Sequence, residues 1–245
     1  MNAVIDLLKS HRSIRKFRDK AVPEALLRTI LEAAQCASSS HYVQAYSVIW
    51  VTDAKVRKAV SDLAGSQVWV CQAPIFLIFC ADLNRLETAC FRHGKSMASG
   101  YAEQLITATV DTALLGQNTM IAAESQGLGG VFIGGIRNDP ARVCSLLSIP
   151  DNAYPVFGMC LGYPDDDPGK KPRMPVDSVL MKESYDKAIF STFMDDYDQS
   201  TCDYYLSRSS GARQDTWSRQ MAEFMSRETR PHMKSFLESK GFFLK

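Results

Sequence analysis

PIFLIFCAD, residues Pro74 to Asp82, is an almost unbroken apolar run of about the length of one strand. A strand with one wet face alternates polar and apolar side chains, whereas a run that is apolar in both phases belongs to a strand covered on both sides. Around it, YSVIWVT (Tyr46 to Thr52), GVFIGGI (Gly130 to Ile136) and PVFGMCLGYP (Pro155 to Pro164) are also rich in β-branched and aromatic residues and read as further strands. Helical spacing fills the intervals. A short helix is expected from Ala3 to Lys9, and Pro23 opens a second in which Leu26, Leu27, Ile30, Leu31 and Ala34 share one face. Others run from Ala54 to Leu63, stopping at Gly65, from Ala102 to Gln126, closed by Gly127 and Gly129, and onward from Asp139-Pro140. Interleaved strands and helices give an α+β fold, a mixed sheet sandwiched by helices with one long central helix. After Pro175 the chain turns polar and helical, so residues 176–245 are expected to leave the domain and embrace a neighbouring subunit.

Composition narrows the function classes. The chain has 245 residues, 46% of them hydrophobic, enough for a real core and too many for a disordered chain. Lys and Arg total 28 against 27 for Asp and Glu; that balance gives no general attraction to nucleic acid or to acidic membranes, and no basic helix is present. Seven cysteines are scattered without a C-x-x-C pair, as expected of reduced thiols in a cytoplasmic protein, and no metal site is expected. The start, MNAVIDLLKSHRS, lacks the h-region of a signal peptide. The long low-charge stretch Leu105 to Ala123 contains Asp111, Gln117 and Asn118, which suit a helix buried in protein better than one in lipid. No G-x-G-x-x-G follows the first strand and no P-loop is present, so a nucleotide-like cofactor would need another holding device.

Four clusters can supply one. His11-Arg12-Ser13-Ile14-Arg15-Lys16-Phe17 surrounds a hydroxyl with cationic groups able to grip a phosphate, or else is a solvated basic turn. Lys171-Pro172-Arg173 fixes two cations around a stiff proline, or is a surface loop. Gly129-Gly130-Val131-Phe132-Ile133-Gly134-Gly135-Ile136-Arg137 offers backbone approach to a flat ligand, or a tight strand-to-helix turn. The run Ser38-Ser39-Ser40-His41-Tyr42-Val43-Gln44 offers hydroxyls and amides, or closes a helix for local reasons.

HRSIRKF, the serine run with Gln44, AAESQGLGGVFIGGIRN, the KPR tripeptide and the late RSSGARQDTWS, in this order and spacing, resemble the nitroreductase superfamily. The similarity is to its oxygen-insensitive NADPH nitroreductases of the major, type A group and to the related NADPH:FMN oxidoreductases (flavin reductase P). The resemblance implies a single nitroreductase-like domain over residues 1–245, a domain-swapped homodimer, bound FMN and NADPH as cosubstrate. Carried over by position, His11, Arg12, Ser13, Arg15, Lys171 and Arg173 hold the FMN phosphate and ribityl chain. Ser39, Ser40, Gln44, Gln67, Phe132, Ile133, Gly134 and Gly135 lie near the ring. Arg208 and Arg213, with Arg137 at the pocket mouth, recognise NADPH. Phe132 stands where close relatives carry Tyr, and His41 where they carry a fourth Ser, which bears on acceptor preference.

No acid, nucleophile or metal of the protein is expected to do the chemistry, because the flavin carries it. Arg15 is the candidate for stabilising negative charge on the reduced flavin. The expected activity is a ping-pong, two-electron reduction of nitroaromatics, quinones or flavins, small molecules taken in turn at one shelf. A dedicated NADPH:FMN reductase supplying reduced flavin to a partner is the competing enzyme reading, and a flavin-binding sensor or carrier the competing non-enzyme reading. No nucleic acid and no membrane are expected as partners.

Overall fold

The computed structural model describes residues 2–208, 214–242 and 245. In chain order the elements are α1 (Ala3–Ser10), α2 (Glu24–Ala34), β1 (Tyr46–Trp50), α3 (Ala54–Leu63), α4 (Trp69–Gln72), β2 (Ile75–Asp82), α5 (Asn84–Arg92), α6 (Ala102–Ser125), β3 (Gly129–Ile133), α7 (Pro140–Leu147), β4 (Ala153–Gly162), α8 (Ile189–Arg208), α9 (Trp217–Met225) and α10 (Met233–Ser239). The short α4 and α5 have no counterpart in the sequence reading; α4 is a single turn of four residues, and α5 buries none of its residues, so no apolar face marks it.

The four strands are ordered β1-β2-β4-β3. Every pairing among the described residues is antiparallel, where a mixed sheet was expected. Helical crossovers do not require parallel strands, and strand polarity leaves no mark in a hydrophobic pattern. The reading of β2 as a doubly covered strand holds residue by residue. Ile75, Leu77 and Phe79 join a core with Leu27, Ile30 and Ala34 of α2 and Leu115, Met120 and Ala123 of α6. Phe76, Ile78 and Cys80 face the opposite core, with Val60 and Ala64 at α3, Val143 of α7, and Phe236 and Phe242 near the C-terminus. At roughly 1.5–3 kcal/mol for each fully buried large apolar side chain, this strand alone ties both helical layers together.

Helix α6 buries Ala108, Asp111, Thr112, Leu115, Gly116, Thr119, Met120 and Ala123, a stripe at helical spacing. Gly116 permits its close approach to β4, since a Cβ there would meet Phe157 at 2.6 Å. No helix among the described residues is long and apolar enough to cross a membrane.

The chain divides into two compact units, one of Met1–Asp167 with Arg230–Lys245, the other of Pro168–Thr229. The excursion is therefore shorter than 176–245: the last residues return to the first unit, where Phe242 is 1% exposed and the Lys240 ammonium bonds the Ile149 carbonyl at 3.1 Å. The second unit has apolar packing of its own, with Tyr197, Thr201 and Tyr205 buried. These three repeat at helical spacing along α8, but the polar residues around them hide the stripe from a reading of hydrophobicity alone.

Candidate functional site

The basic motif begins where α1 stops. His11 caps the helix through its N–H to the Leu8 carbonyl, and the chain then leaves the helix without regular structure until Phe17. The Ile14 amide donates to the Gly130 carbonyl at 2.9 Å, and Phe17 pairs with Pro164. Ile14 is 2% exposed, whereas Arg15 is exposed and Ser13 half-buried. Gly129 is what lets Ile14 seat, since a Cβ there would lie 2.5 Å from its Cγ1.

The cations of this motif are not equivalent. His11 Nδ1 is 2.6 Å from Glu124 Oε1, at the end of α6. Arg12 Nε is 2.7 Å from Asp167 Oδ1, and its Nη1 donates to the Ser10 carbonyl. Arg15 is instead held over the Trp69 ring at 5.7 Å. Among the described residues, Ser13, Arg15, Lys16 and the remaining N–H groups of Arg12 are thus the donors of this motif left for an anion.

Trp69 leads to the glycine-rich corner. Its indole N–H donates to Gln67 Oε1 at 3.1 Å, while Gln67 Nε2 donates to the Ala64 carbonyl at 2.7 Å. The α4 turn that carries Trp69 is gripped by Arg57, whose guanidinium donates to the carbonyls of Val70 at 2.8 Å and Ala73 at 2.5 Å. Burial lowers the Arg57 pKa from its ordinary value. Gly134 and Gly135 open a 3-10 turn, Gly134–Asn138, just after β3. A Cβ on Gly135 would strike the Ala64 carbonyl oxygen at 2.4 Å, and one on Gly130 the Cys160 carbonyl oxygen at the same distance. Those two glycines answer to protein packing. Gly134 differs: its nearest neighbour would be the Arg137 guanidinium at 3.4 Å, which leaves it open to a ligand. Phe132 stands edge-on to Phe157 at 5.0 Å, and Ile133 is buried. Arg137 is half-buried with Nη1 donating to the Val156 carbonyl, and burial, followed by nearby Arg230, lowers its pKa.

Ser39, Ser40 and Gln44 sit on a loop clamped to α6. Asp111, 1% exposed, accepts from the Ser40 amide at 3.0 Å and the Ala45 amide at 3.2 Å. Between the two amides His41, Tyr42 and Gln44 have φ of 46°, 60° and 51°. Arg85 donates to the Gln44 carbonyl at 3.1 Å.

The remaining predicted residues belong to the second unit. Lys171 is exposed with its ammonium 5.5 Å from the Tyr205 ring, and Arg173 Nη1 donates to the Lys171 carbonyl at 2.8 Å. Tyr197 fixes the tripeptide by donating to the Pro172 carbonyl at 3.2 Å. Arg208, at the end of α8, is exposed and bonds the Tyr204 hydroxyl at 3.1 Å; Arg213 lies outside the described residues.

The structure therefore gathers Ser13, Arg15, Gln67, Gly134 and Gly135 at one corner of the first unit and ties the serine loop to α6. Sequence reasoning missed Trp69, Arg57 and Glu124 as organisers of that corner, and it weighed Asp111 only as a polar residue in a helix. Glu124 and Asp111 act on partners far along the chain, and Arg57 and Trp69 act through backbone carbonyls and ring contacts that no sequence pattern marks.

Against known proteins, the Nitroreductase family matches residues 8–163 and the Nitroreductase family, C-terminal domain, matches residues 171–245. The gap between them contains the structural boundary at Asp167 and Pro168. The oxygen-insensitive NADPH nitroreductase of Salmonella typhimurium is 43% identical over 242 residues, 99% of each chain. The FMN reductase (NADPH) of Bacillus subtilis is 39% identical over 246 residues, again 99% of each. Among solved structures, the NADPH:FMN oxidoreductase from Vibrio harveyi complexed with NAD+ superposes with a TM-score of 0.89 at 36% identity, covering 100% of both chains.

Proposed function

The chain belongs to the nitroreductase family, and from that premise we propose that it is an FMN-dependent NADPH oxidoreductase. It reduces small acceptors, nitroaromatics, quinones or free flavin, by two electrons in a ping-pong cycle. The observation that carries this reading is full-length similarity to enzymes whose names agree on NADPH and on flavin or nitro reduction.

The donor set fits a flavin mononucleotide. Ser13, the N–H groups of Arg12 not engaged by Asp167 or Ser10, and the Arg15 guanidinium, which has no ion pair among the described residues, suit a phosphate and a polar ring edge, and Gly134 has no side chain to obstruct a flat ring. His11, braced by Glu124, orients the motif. Lys171 and Arg173, held by the turn that Tyr197 secures, complete the phosphate grip in this reading. Ser39, Ser40, Gln44, Gln67, Phe132, Ile133 and Gly135 frame the ring; Gln67 and Gly135 do so as fixed neighbours, their positions set by Ala64. Arg208 and Arg213 take the 2′-phosphate of NADPH. Arg137, engaged by the Val156 carbonyl, shapes the glycine turn beside it.

Bound FMN supplies the redox chemistry, accepting and returning two electrons. The chain's own residues bind it, orient it and leave one face open, while Arg15 places a cation where negative charge collects. A second copy of the chain is part of the proposal. Ile106, Val110 and Leu114, at successive turns of α6, are 56%, 49% and 42% exposed, and a row of large apolar side chains in water marks a protein contact. Seven free cysteines accord with a cytoplasmic setting.

Purified protein is expected to be yellow, to bleach anaerobically with one equivalent of NADPH, and to run as a dimer by light scattering. A colourless protein that takes up no FMN would end this reading. The similarity to an FMN reductase favours, as a second reading, supply of reduced flavin to a partner. Comparing kcat/KM for free FMN with that for a nitroaromatic decides between them.

A further inference from the structure

The loop from Ser39 to Ala45 is held in a conformation its residues do not choose. His41, Tyr42 and Gln44 all have positive φ, a region that residues bearing a Cβ enter rarely, and none of the three is a glycine. His41 and Tyr42 are exposed, Tyr42 to 82%, so packing of their side chains does not impose the shape. Beside local backbone bonds and the Arg85 bond to the Gln44 carbonyl, Asp111 holds the loop at both ends. Its carboxyl group, on the buried face of α6, takes the Ser40 amide on Oδ1 at 3.0 Å and the Ala45 amide on Oδ2 at 3.2 Å, bracketing the strained residues. Neighbouring Thr112 is satisfied elsewhere, by the carbonyls of Ala108 and Cys80, so it does not share this duty.

We propose that Asp111 is a positioning residue for the flavin: by clamping both ends of the loop it stores backbone strain and presents Ser39, Ser40 and Gln44 in one preformed arrangement. Strain of this kind persists only where surrounding structure over-determines it. A loop ordered in advance binds without losing further conformational freedom, so the clamp is read out as affinity. The inference rests on the assignment of this loop to FMN made above.

Asp111→Asn keeps the shape and one acceptor but turns an amide N–H towards the second backbone donor. FMN affinity, measured by quenching of flavin fluorescence, is expected to fall roughly ten- to hundredfold, the loss associated with a charge-assisted hydrogen bond. Glycine tolerates positive φ, so His41→Gly added to Asp111→Asn is expected to recover at least threefold of that affinity by relieving strain that the clamp no longer holds. A purely structural role for Asp111 would show no such rescue. Equal FMN affinity in wild type and Asp111→Asn overturns the inference alone. A wild-type chain that binds no FMN overturns the assignment on which it rests, and the inference with it. If Asp111→Asn does not fold, amide hydrogen exchange on the wild-type apoprotein decides. Ser40, although exposed, is expected to exchange at least tenfold more slowly than His41, and equal rates overturn the proposal.

Discussion

Nδ1 of His11 and Oε1 of Glu124 lie 2.6 Å apart, joining the end of α1 to the end of α6 across 113 positions of sequence. Their side chains are 28% and 12% exposed, so water screens the pair only in part. His11→Ala and Glu124→Ala are each expected to destabilise the chain, with a coupling of about 0.5–1.5 kcal/mol in a double-mutant cycle followed by urea unfolding. Strict additivity would show that the contact contributes nothing beyond its parts.

Adjacent glycines at the corner should respond in opposite ways. Gly135→Ala drives a Cβ to 2.4 Å from the Ala64 carbonyl oxygen, a backbone atom that cannot step aside, and is expected to cost about 1–3 kcal/mol or prevent folding. Gly134→Ala meets only the Arg137 guanidinium at 3.4 Å, so the fold should tolerate it while FMN binding weakens. Thermal melts beside flavin titrations separate the two. Unchanged FMN affinity in Gly134→Ala would remove this residue from the ring site.

Thiol chemistry should divide the cysteines by burial. Cys36 and Cys71 are exposed, whereas burial pushes the Cys144 thiol up to about 11 and raises Cys80 and Cys160 as well. Native protein at pH 8 is expected to release colour from a disulfide reagent at Cys36 and Cys71 while Cys144 stays silent, because only thiolate reacts. The linkage sign follows: a folded thiol held above its unfolded value keeps full stability below pH about 8.5 and loses it as pH climbs towards 11. Unfolding midpoints measured between pH 7 and 10 should fall at the alkaline end.

Nicotinamide preference tests the arginine at the end of α8. Arg208 is exposed and its Nη1 is engaged by the Tyr204 hydroxyl at 3.1 Å, which leaves other N–H groups for a phosphate. Arg208→Ala is expected to raise KM for NADPH roughly tenfold, equivalent to about 1.4 kcal/mol, with KM for NADH little changed. Equal losses with both cofactors would move the 2′-phosphate site elsewhere.

The sequence by itself determined the four strands and most of the helices, though not α4 or α5. β2 was legible because Ile75 to Phe79 are apolar in both phases, and α6 because a long low-charge run of helix-compatible residues ends at Gly127 and Gly129. The basic motif, the glycine corner and the family were legible for the same reason: their residues are contiguous, so composition and order carry the signal. Only the tertiary structure decided what each residue answers to. It set the strands antiparallel, paired His11 and Arg12 with acids far along the chain, spent Gly130 and Gly135 on packing, and returned the last residues to the first unit. Asp111 shows why. A carboxyl group in a helix reads alike whether it faces water or two amides some seventy residues away, because hydrogen bonds and burial depend on distance in space, and periodicity records only distance along the chain.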